Sequence, residues 1–276
     1  MKRIIILSGI ILLVLLIYFY EYSSRDINEG VISMVDNETS SNVMITIVYD
    51  NNEFDKNLKT AWGFSCLVEL EDKKILFDTG GDSPTLLNNM EKLKMDLKEI
   101  DIVVLSHIHG DHTGGLTGVL EKNPDVTVYI PKSFPSSFKN EIKSYGAKFV
   151  DVDNPIKIFD GIYTTGELGT WIKEQSLIIK TDKGLVVITG CAHPGIMNIV
   201  RKTKEVTKED LYLVIGGFHL GGASDADLMQ IVNVFRELNV KKVGPCHCSG
   251  DRCRELFEEE YKDDFIEVGV GREIKV

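Results

Sequence analysis

"LSHIHGDHTGG", residues 105–115, places His107, His109, Asp111 and His112 within six positions. The chain has only six histidines, so half of them stand in this one turn. An apolar run, "DIVVLS" (101–106), leads into it and reads as a buried β-strand. In extended backbone, side chains two apart face the same way, so His107 and His109 can reach one cation. Asp111 and His112 are adjacent and diverge, which suits them to a second cation or a different angle of approach. Gly110 lets the chain turn between the two pairs, and Gly114 and Gly115 leave room for backbone to come close. Imidazoles with a carboxylate suit zinc, iron(II) or manganese, whereas calcium and magnesium prefer all-oxygen shells.

The other three histidines share that local context. His193 lies in "TGCAHPG", His219 in "GGFHLGG" and His247 in "PCHCSG", each where an apolar run gives way to a glycine-containing loop. Branched and aromatic runs predict strands at 42–50, 65–70, 73–78, 101–106, 126–130 and 148–152 in the first half. In the second half they predict a hairpin over 176–189, further strands at 211–216 and after Val240, and an edge strand over 272–276. Apolar residues at helical spacing predict helices at 84–93, 115–122, 137–146, 194–205 and 225–238, and one after Cys253. Ser83 stands where the cap of the first of these belongs, with Pro84 in its first turn. Strands each followed by helices make an α/β protein, with sheets in the middle and helices outside. Loops at one end of such strands converge on one rim, where chemistry is usually placed.

Composition bounds the rest. The chain has 276 residues, a formal net charge of −11 and seven prolines, which fits one generous domain and repels phosphate backbones. No nucleic-acid partner is therefore expected. Lys2 and Arg3 precede an unbroken apolar run from Ile4 to Tyr20, closed by Glu21 and rich in aromatics at its end. Residues 1–25 read as a membrane anchor, or a secretory signal peptide, that leaves the bulk of the chain on the far side of the membrane. Retention gives a membrane-anchored extracytoplasmic protein, and cleavage a secreted one. Residues 26–42 read as a flexible tether, and residues 43–276 as the catalytic domain. Five cysteines, three of them in "PCHCSGDRC", make no tidy disulfide framework and look more like free thiols or metal ligands.

"HIHGDH" resembles the H-x-H-x-D-H signature of the metallo-β-lactamase fold superfamily, and "FDTGGD" (77–82) resembles its early aspartate motif. "TTGELG", "TGCAHPGI", "IGGFHL" and "GPCHCSG" are similar to the branch of dihydropterin-methyl-aminobenzene ribofuranosyl phosphate synthases. The resemblance covers about Val43 to Val276 and implies an αββα sandwich with a dinuclear site at the top of its sheets. Carried over residue by residue, it implies His107, His109 and His193 on a first divalent ion. Asp111, His112 and His247 would hold a second; zinc is the first expectation, with iron or manganese as alternatives. Cys191 stands where hydrolases of the superfamily carry a bridging aspartate, and it either ligates or is a buried small thiol. Asp78 is expected to orient a ligand histidine through its other ring nitrogen. Asp111 and His219 are the candidate catalytic residues, His219 as a proton donor facing substrate; Glu167 and Trp171 are candidate pocket residues. Together these features predict a metal-dependent hydrolase or transferase acting on a small anionic phosphoester or pterin-related molecule. An iron-containing redox protein and a non-enzymatic metal or ligand sensor at the membrane are the competing readings.

Overall fold

The computed structural model describes residues 39–276. The anchor or signal segment 1–25 and the tether up to residue 38 lie outside them. Among the described residues, no helix is long and apolar enough to cross a membrane.

In chain order the strands are β1 (Met44–Tyr49), β2 (Ser65–Glu69), β3 (Lys74–Phe77), β4 (Ile102–Val104), β5 (Thr127–Pro131), β6 (Lys148–Val152), β7 (Ile156–Phe159), β8 (Ile162–Thr164), β9 (Leu177–Thr181), β10 (Gly184–Thr189), β11 (Leu211–Gly217), β12 (Lys242–Cys246) and β13 (Glu273–Lys275). The helices are α1 (Ser83–Lys92), α2 (Gly110–Thr113), α3 (Leu116–Lys122), α4 (Ser136–Ser144), α5 (Ile196–Thr207), α6 (Asp225–Glu237) and α7 (Asp251–Tyr261). Seven strands form one sheet in the order β13-β1-β2-β3-β4-β5-β6, and six form the other in the order β12-β11-β10-β9-β8-β7.

Alternation along the strands explains the layering. Ile45 and Ile47 of β1 meet Val186 and Ile188 of β10 and Leu213 and Ile215 of β11 in the core between the sheets. Their neighbours point outward: Val48 packs with Leu86, Leu116 and Leu120 of α1 and α3. Val187 and Val214 pack with Ile199 of α5, Val232 of α6 and Phe257 of α7. Strands buried on both faces must be apolar throughout, which is why these runs show no polar alternation in the sequence. The layers are thus α, β, β and α, the sandwich that the resemblance implied.

Strand direction positions the site. β3, β4 and β5 run parallel, and β1 runs with them because β2 is antiparallel to both β1 and β3. In the second sheet β10, β11 and β12 are parallel. All six histidines follow the carboxyl ends of β4, β10, β11 and β12.

Two local expectations change. The cap of α1 is Asp82, whose side chain accepts from Thr85 N, and not Ser83, which begins the helix. Ser83 Oγ instead accepts from Gly118 N at 3.1 Å, tying α1 to α3. β7 and β8 were not anticipated, because "IKIF" and "IYT" are too short and too mixed to stand out from a loop.

Candidate metal centre

After β4 the chain leaves the sheet through Ser106–His109, with a bend at Ile108, then winds into the single helical turn α2. Asp111 and His112 therefore sit on a helix start and not in the irregular segment that carries His107 and His109. A Cβ at Gly114 would overlap the carbonyl oxygen of Gly81, and one at Gly115 that of Thr79. Glycines here let the 79–81 loop lie against α2, where Thr79 N donates to His112 O at 2.7 Å and Gly114 N to Gly80 O at 2.9 Å.

Asp78 fixes the orientation of two rings from one buried carboxylate. Its Oδ1 accepts from Ser106 N at 2.6 Å, and its Oδ2 accepts from Ser106 Oγ and from His112 Nδ1, both at 2.7 Å. With its proton spent on Asp78, Ser106 Oγ accepts from His107 Nδ1 at 2.9 Å. Across the site, Asn51 Oδ1 accepts from His247 Nδ1 at 2.9 Å, and Asn51 Nδ2 donates to His247 O at 3.3 Å. The Nε2 atoms of His107, His112 and His247 therefore carry lone pairs, and all point inward.

Those nitrogens meet further donor atoms of the kind that ligate metals, at contact distance. His107 Nε2 and His193 Nε2 lie 3.1 and 3.2 Å from His109 Nδ1. His112 Nε2 lies 3.2 Å from both His247 Nε2 and Cys191 Sγ, while Asp111 Oδ2 stands 3.4 Å from His247 Nε2. The His112 and His247 lone pairs, 3.2 Å apart in a buried place, repel one another unless a proton or a cation lies between them. Three groups of donors form, with the donor atoms of each within 4.8 Å of one another: His107, His109 and His193; beside them Asp111, His112, Cys191 and His247; and, sharing Cys191, the rim group of Cys191, His219 and Cys248. The donor chemistry fits transition-series ions, with soft character added to the second group by Cys191.

Residues 63–201 match the metallo-β-lactamase superfamily. A 7,8-dihydropterin-6-methyl-4-(β-D-ribofuranosyl)-aminobenzene-5′-phosphate synthase of Methanocaldococcus jannaschii is 32% identical over 83% of this chain and 95% of that protein. The chain belongs to the metallo-β-lactamase superfamily. A solved metal-dependent hydrolase of the β-lactamase superfamily matches at 30% identity and a TM-score of 0.71, over 85% of this chain and 99% of that one. The metallo-β-lactamase fold protein YhfI of Bacillus subtilis, at 14% identity and a TM-score of 0.66 over 86% of this chain and 100% of that one, shares the fold.

Within this superfamily frame, the sequence left out the residue that shapes the His193 loop. Glu174, fully buried just before β9, accepts at Oε1 from Gly190 N at 3.1 Å, Cys191 N at 3.0 Å and Ala192 N at 2.8 Å. Its Oε2 accepts from His193 N at 2.8 Å. Burial pushes this carboxyl up to about 7, against the pull of the His193 and Ala192 N–H groups. Asn51 and Ser106 were likewise missed, as was Trp62, 60% exposed, whose ring lies 4.8 Å from that of His247.

Burial and neighbouring charges shift the rings of the site in opposite directions. Burial, then the neighbouring imidazoles, push His107 far below the ordinary range, and the same two causes bring His193 down to about 4. Burial opposes ionisation of Asp111, but its contacts with His247 and His112 hold the carboxyl well below the usual carboxylate range. His112 is raised despite burial, because Asp78 supports its charged form. Backbone strain is concentrated here as well. Of nine non-glycine residues with positive φ among those described, four (Asp78, Ala192, His219 and His247) stand at strand ends around the site. Such conformations persist only where surrounding contacts over-determine them.

The remaining candidates are distributed unevenly. His219 is exposed at the rim with its ring 4.5 Å from that of His193, and its contact with Cys248 raises it. Cys248 joins the site, with Sγ 3.3 Å from Cys191 Sγ, whereas Cys246 packs between the sheets and Cys253 packs under α7. No soft-metal cluster of Cys246, Cys248 and Cys253 forms among the described residues. Trp171 is 96% exposed, and Glu167 accepts from Ser133 N at 2.5 Å, so neither touches the donor groups.

Asp78→Asn tests the orienting role. The left-handed φ of 53° at Asp78 suits asparagine, so the backbone survives the change. Asparagine keeps one acceptor oxygen: turned toward His112 it sets its NH2 against Ser106 N, and turned toward Ser106 N it sets its NH2 against Ser106 Oγ and His112 Nδ1, so metal affinity should fall about 10–100-fold. A chelator competition that returns the wild-type affinity would rule this role out.

Proposed function

We propose that this protein is a metal-dependent hydrolase or transferase that takes two divalent ions and acts on a small anionic phosphoester or pterin-related substrate. The observation that carries this reading is the pair of adjoining donor groups with their inward lone pairs. His107, His109 and His193 would hold one ion, and Asp111, His112 and His247 with Cys191 the other. Zinc fits these donors, as do iron(II) and manganese. When bound, such ions polarise a phosphoryl or carbonyl oxygen and bring a water to hydroxide near neutral pH.

The chain's own residues do the rest. Asp78, Ser106, Asn51 and Glu174 fix ring tautomers and loop positions, so little reorganisation remains for the reaction. A cavity of about 280 Å³ adjoins the second donor group, lined by Asn51, Asn52, Trp62, His247, Cys248 and Arg254 among others. Its size favours a small substrate, and Arg254 and Asp251 place one charge of each sign on its wall. Exposed His219 stands where it can deliver a proton to a leaving group at the rim. The pterin-related choice is supported by the M. jannaschii synthase, which matches almost the whole domain. The export and membrane attachment expected of residues 1–25 belong to the same proposal, and membrane fractionation of the full chain reads them directly.

The test is elemental analysis of anaerobically purified protein, followed by turnover of a panel of phosphoesters and lactones. About two zinc, iron or manganese ions per chain and turnover of a phosphoester are expected. Metal without turnover of any phosphoester or pterin phosphate would defeat the enzymatic reading. His219→Ala should keep the metal content and lose about 10²–10⁴-fold in rate, the usual share of a general acid. Loss of metal would instead make His219 a ligand.

A further inference from the structure

All five cysteines are buried and none is in a disulfide. Two of them meet at the site from loops that belong to different strands. Cys191 follows β10 and Cys248 follows β12, and these strands flank β11 on either side. At the end of β11 stands Gly217, where a Cβ would come within 2.7 Å of Cys248 Sγ and 3.2 Å of Cys191 Cα. The missing side chain in the middle strand is what lets the outer two loops touch. Across it, Cys248 Sγ lies 3.3 Å from Cys191 Sγ and 3.7 Å from the Cys191 carbonyl oxygen.

We propose that Cys191 and Cys248 are a thiol modification site, closing into a reversible disulfide across Gly217 that withdraws the Cys191 sulfur from the second donor group. The oxidant class is a low-molecular-weight disulfide. One cysteine attacks it as a thiolate, forming a mixed disulfide and releasing one small thiol. The second cysteine then displaces the other small thiol and forms the Cys191–Cys248 bond. Two protein S–H groups are thereby oxidised, one S–S bond of the reagent is reduced, and both protons end on the released thiols. Bond formation brings the sulfur atoms from 3.3 Å to about 2.05 Å. Access exists, because Cys248 lines the cavity of about 280 Å³ beside His247 and Trp62. Cys66 and Cys246 have no comparable route, since both are packed between the two sheets.

The consequence for metal rests on the proposed function; the cross-link itself does not. Cys191 Sγ lies 3.2 Å from His112 Nε2, so a bond drawn toward Cys248 leaves Asp111, His112 and His247 to hold the second ion alone. Fewer and harder donors bind a transition-series ion less tightly.

The full chain, metal-loaded, is incubated anaerobically with oxidised glutathione, alkylated, weighed intact and mapped by peptide fragmentation. The expected result is loss of two of the five alkylatable thiols, a link between Cys191 and Cys248 that dithiothreitol reverses, and a weaker hold on the second ion in a chelator competition. Cys248→Ser should keep its remaining thiols and its metal under the same treatment. Five free thiols after oxidation, or a link to Cys246 or Cys253, would overturn the proposal. Should the variant fail to fold, the wild-type fragment map still decides. A link that leaves the metal affinity unchanged overturns the claim that the bond weakens the donor group. Absence of metal from the reduced protein is a failure of the proposed function instead.

Discussion

His109→Ala should cost the protein about one metal ion per chain and about a thousandfold or more in turnover. His109 is the hub of the first donor group, since its Nδ1 is the atom within 3.2 Å of both His107 Nε2 and His193 Nε2. Without it the other two rings span a gap with no third donor, and a two-ligand site does not hold a zinc-like ion in competition with water. Losing a metal-activated nucleophile forfeits several kcal/mol of transition-state stabilisation, and about 4 kcal/mol is a factor of about a thousand. The fold should survive. His109 stands at the N-cap of α2 without a side-chain capping bond, and its carbonyl accepts from His112 N and Thr113 N whatever its side chain. The measurement is metal content beside the circular dichroism spectrum and the rate. Full metal occupancy in a folded His109→Ala protein would remove this residue from the site.

Much of the architecture could be read directly because burial on both faces leaves a signature. β4 is apolar at every position, and β10 and β11 carry unbroken apolar cores (185–188 and 213–215), because alternate residues feed different cores, and such runs announce themselves. The histidine turn was readable for a related reason: "HIHGDH" compresses four donors into one local segment, so spacing alone carries information. What stayed hidden depends on contacts between distant segments. Asn51 meets His247 across 196 positions, and Cys191 meets Cys248 across 57, so neither pairing has a local spacing to betray it. Ser106 looked like the last residue of a strand, and only the three-way contact with Asp78 and His107 gives its hydroxyl a task. Cys191 was open between ligand and buried thiol. The structure places its sulfur against His112 Nε2 and Cys248 Sγ at once, a position that serves both descriptions. The α1 cap slipped by one residue because "GDSP" offers two capping side chains in succession, and only the bond from Thr85 N selects Asp82.

Glu174 shows how far a site depends on a residue with no motif of its own. A lone acid ahead of an apolar strand gives no spacing to read, yet four consecutive backbone N–H groups converge on its carboxylate. The Gly190–His193 loop has no regular structure to satisfy those donors, and it carries both Cys191 and His193. Glu174→Ala should therefore destabilise the metal-free protein by about 3–5 kcal/mol, since each buried N–H left without an acceptor costs about 1–3 kcal/mol and the loop can recover only part by shifting. That loss lowers the melting temperature by roughly 10 °C for a domain of this size. Glu174→Gln separates support of the fold from support of the site. Its amide oxygen still accepts from three of the donors, but its NH2 group faces His193 N–H and pushes the loop away at the ligand itself. The glutamine variant should melt closer to the wild type while binding metal about 10–100-fold more weakly, as expected when a residue that orients a ligand is lost. Melting curves recorded with chelator and with metal keep the two effects apart. If Glu174→Ala melts within about 2 °C of the wild type in chelator, the four hydrogen bonds are not what holds this loop, and His193 owes its position to something else.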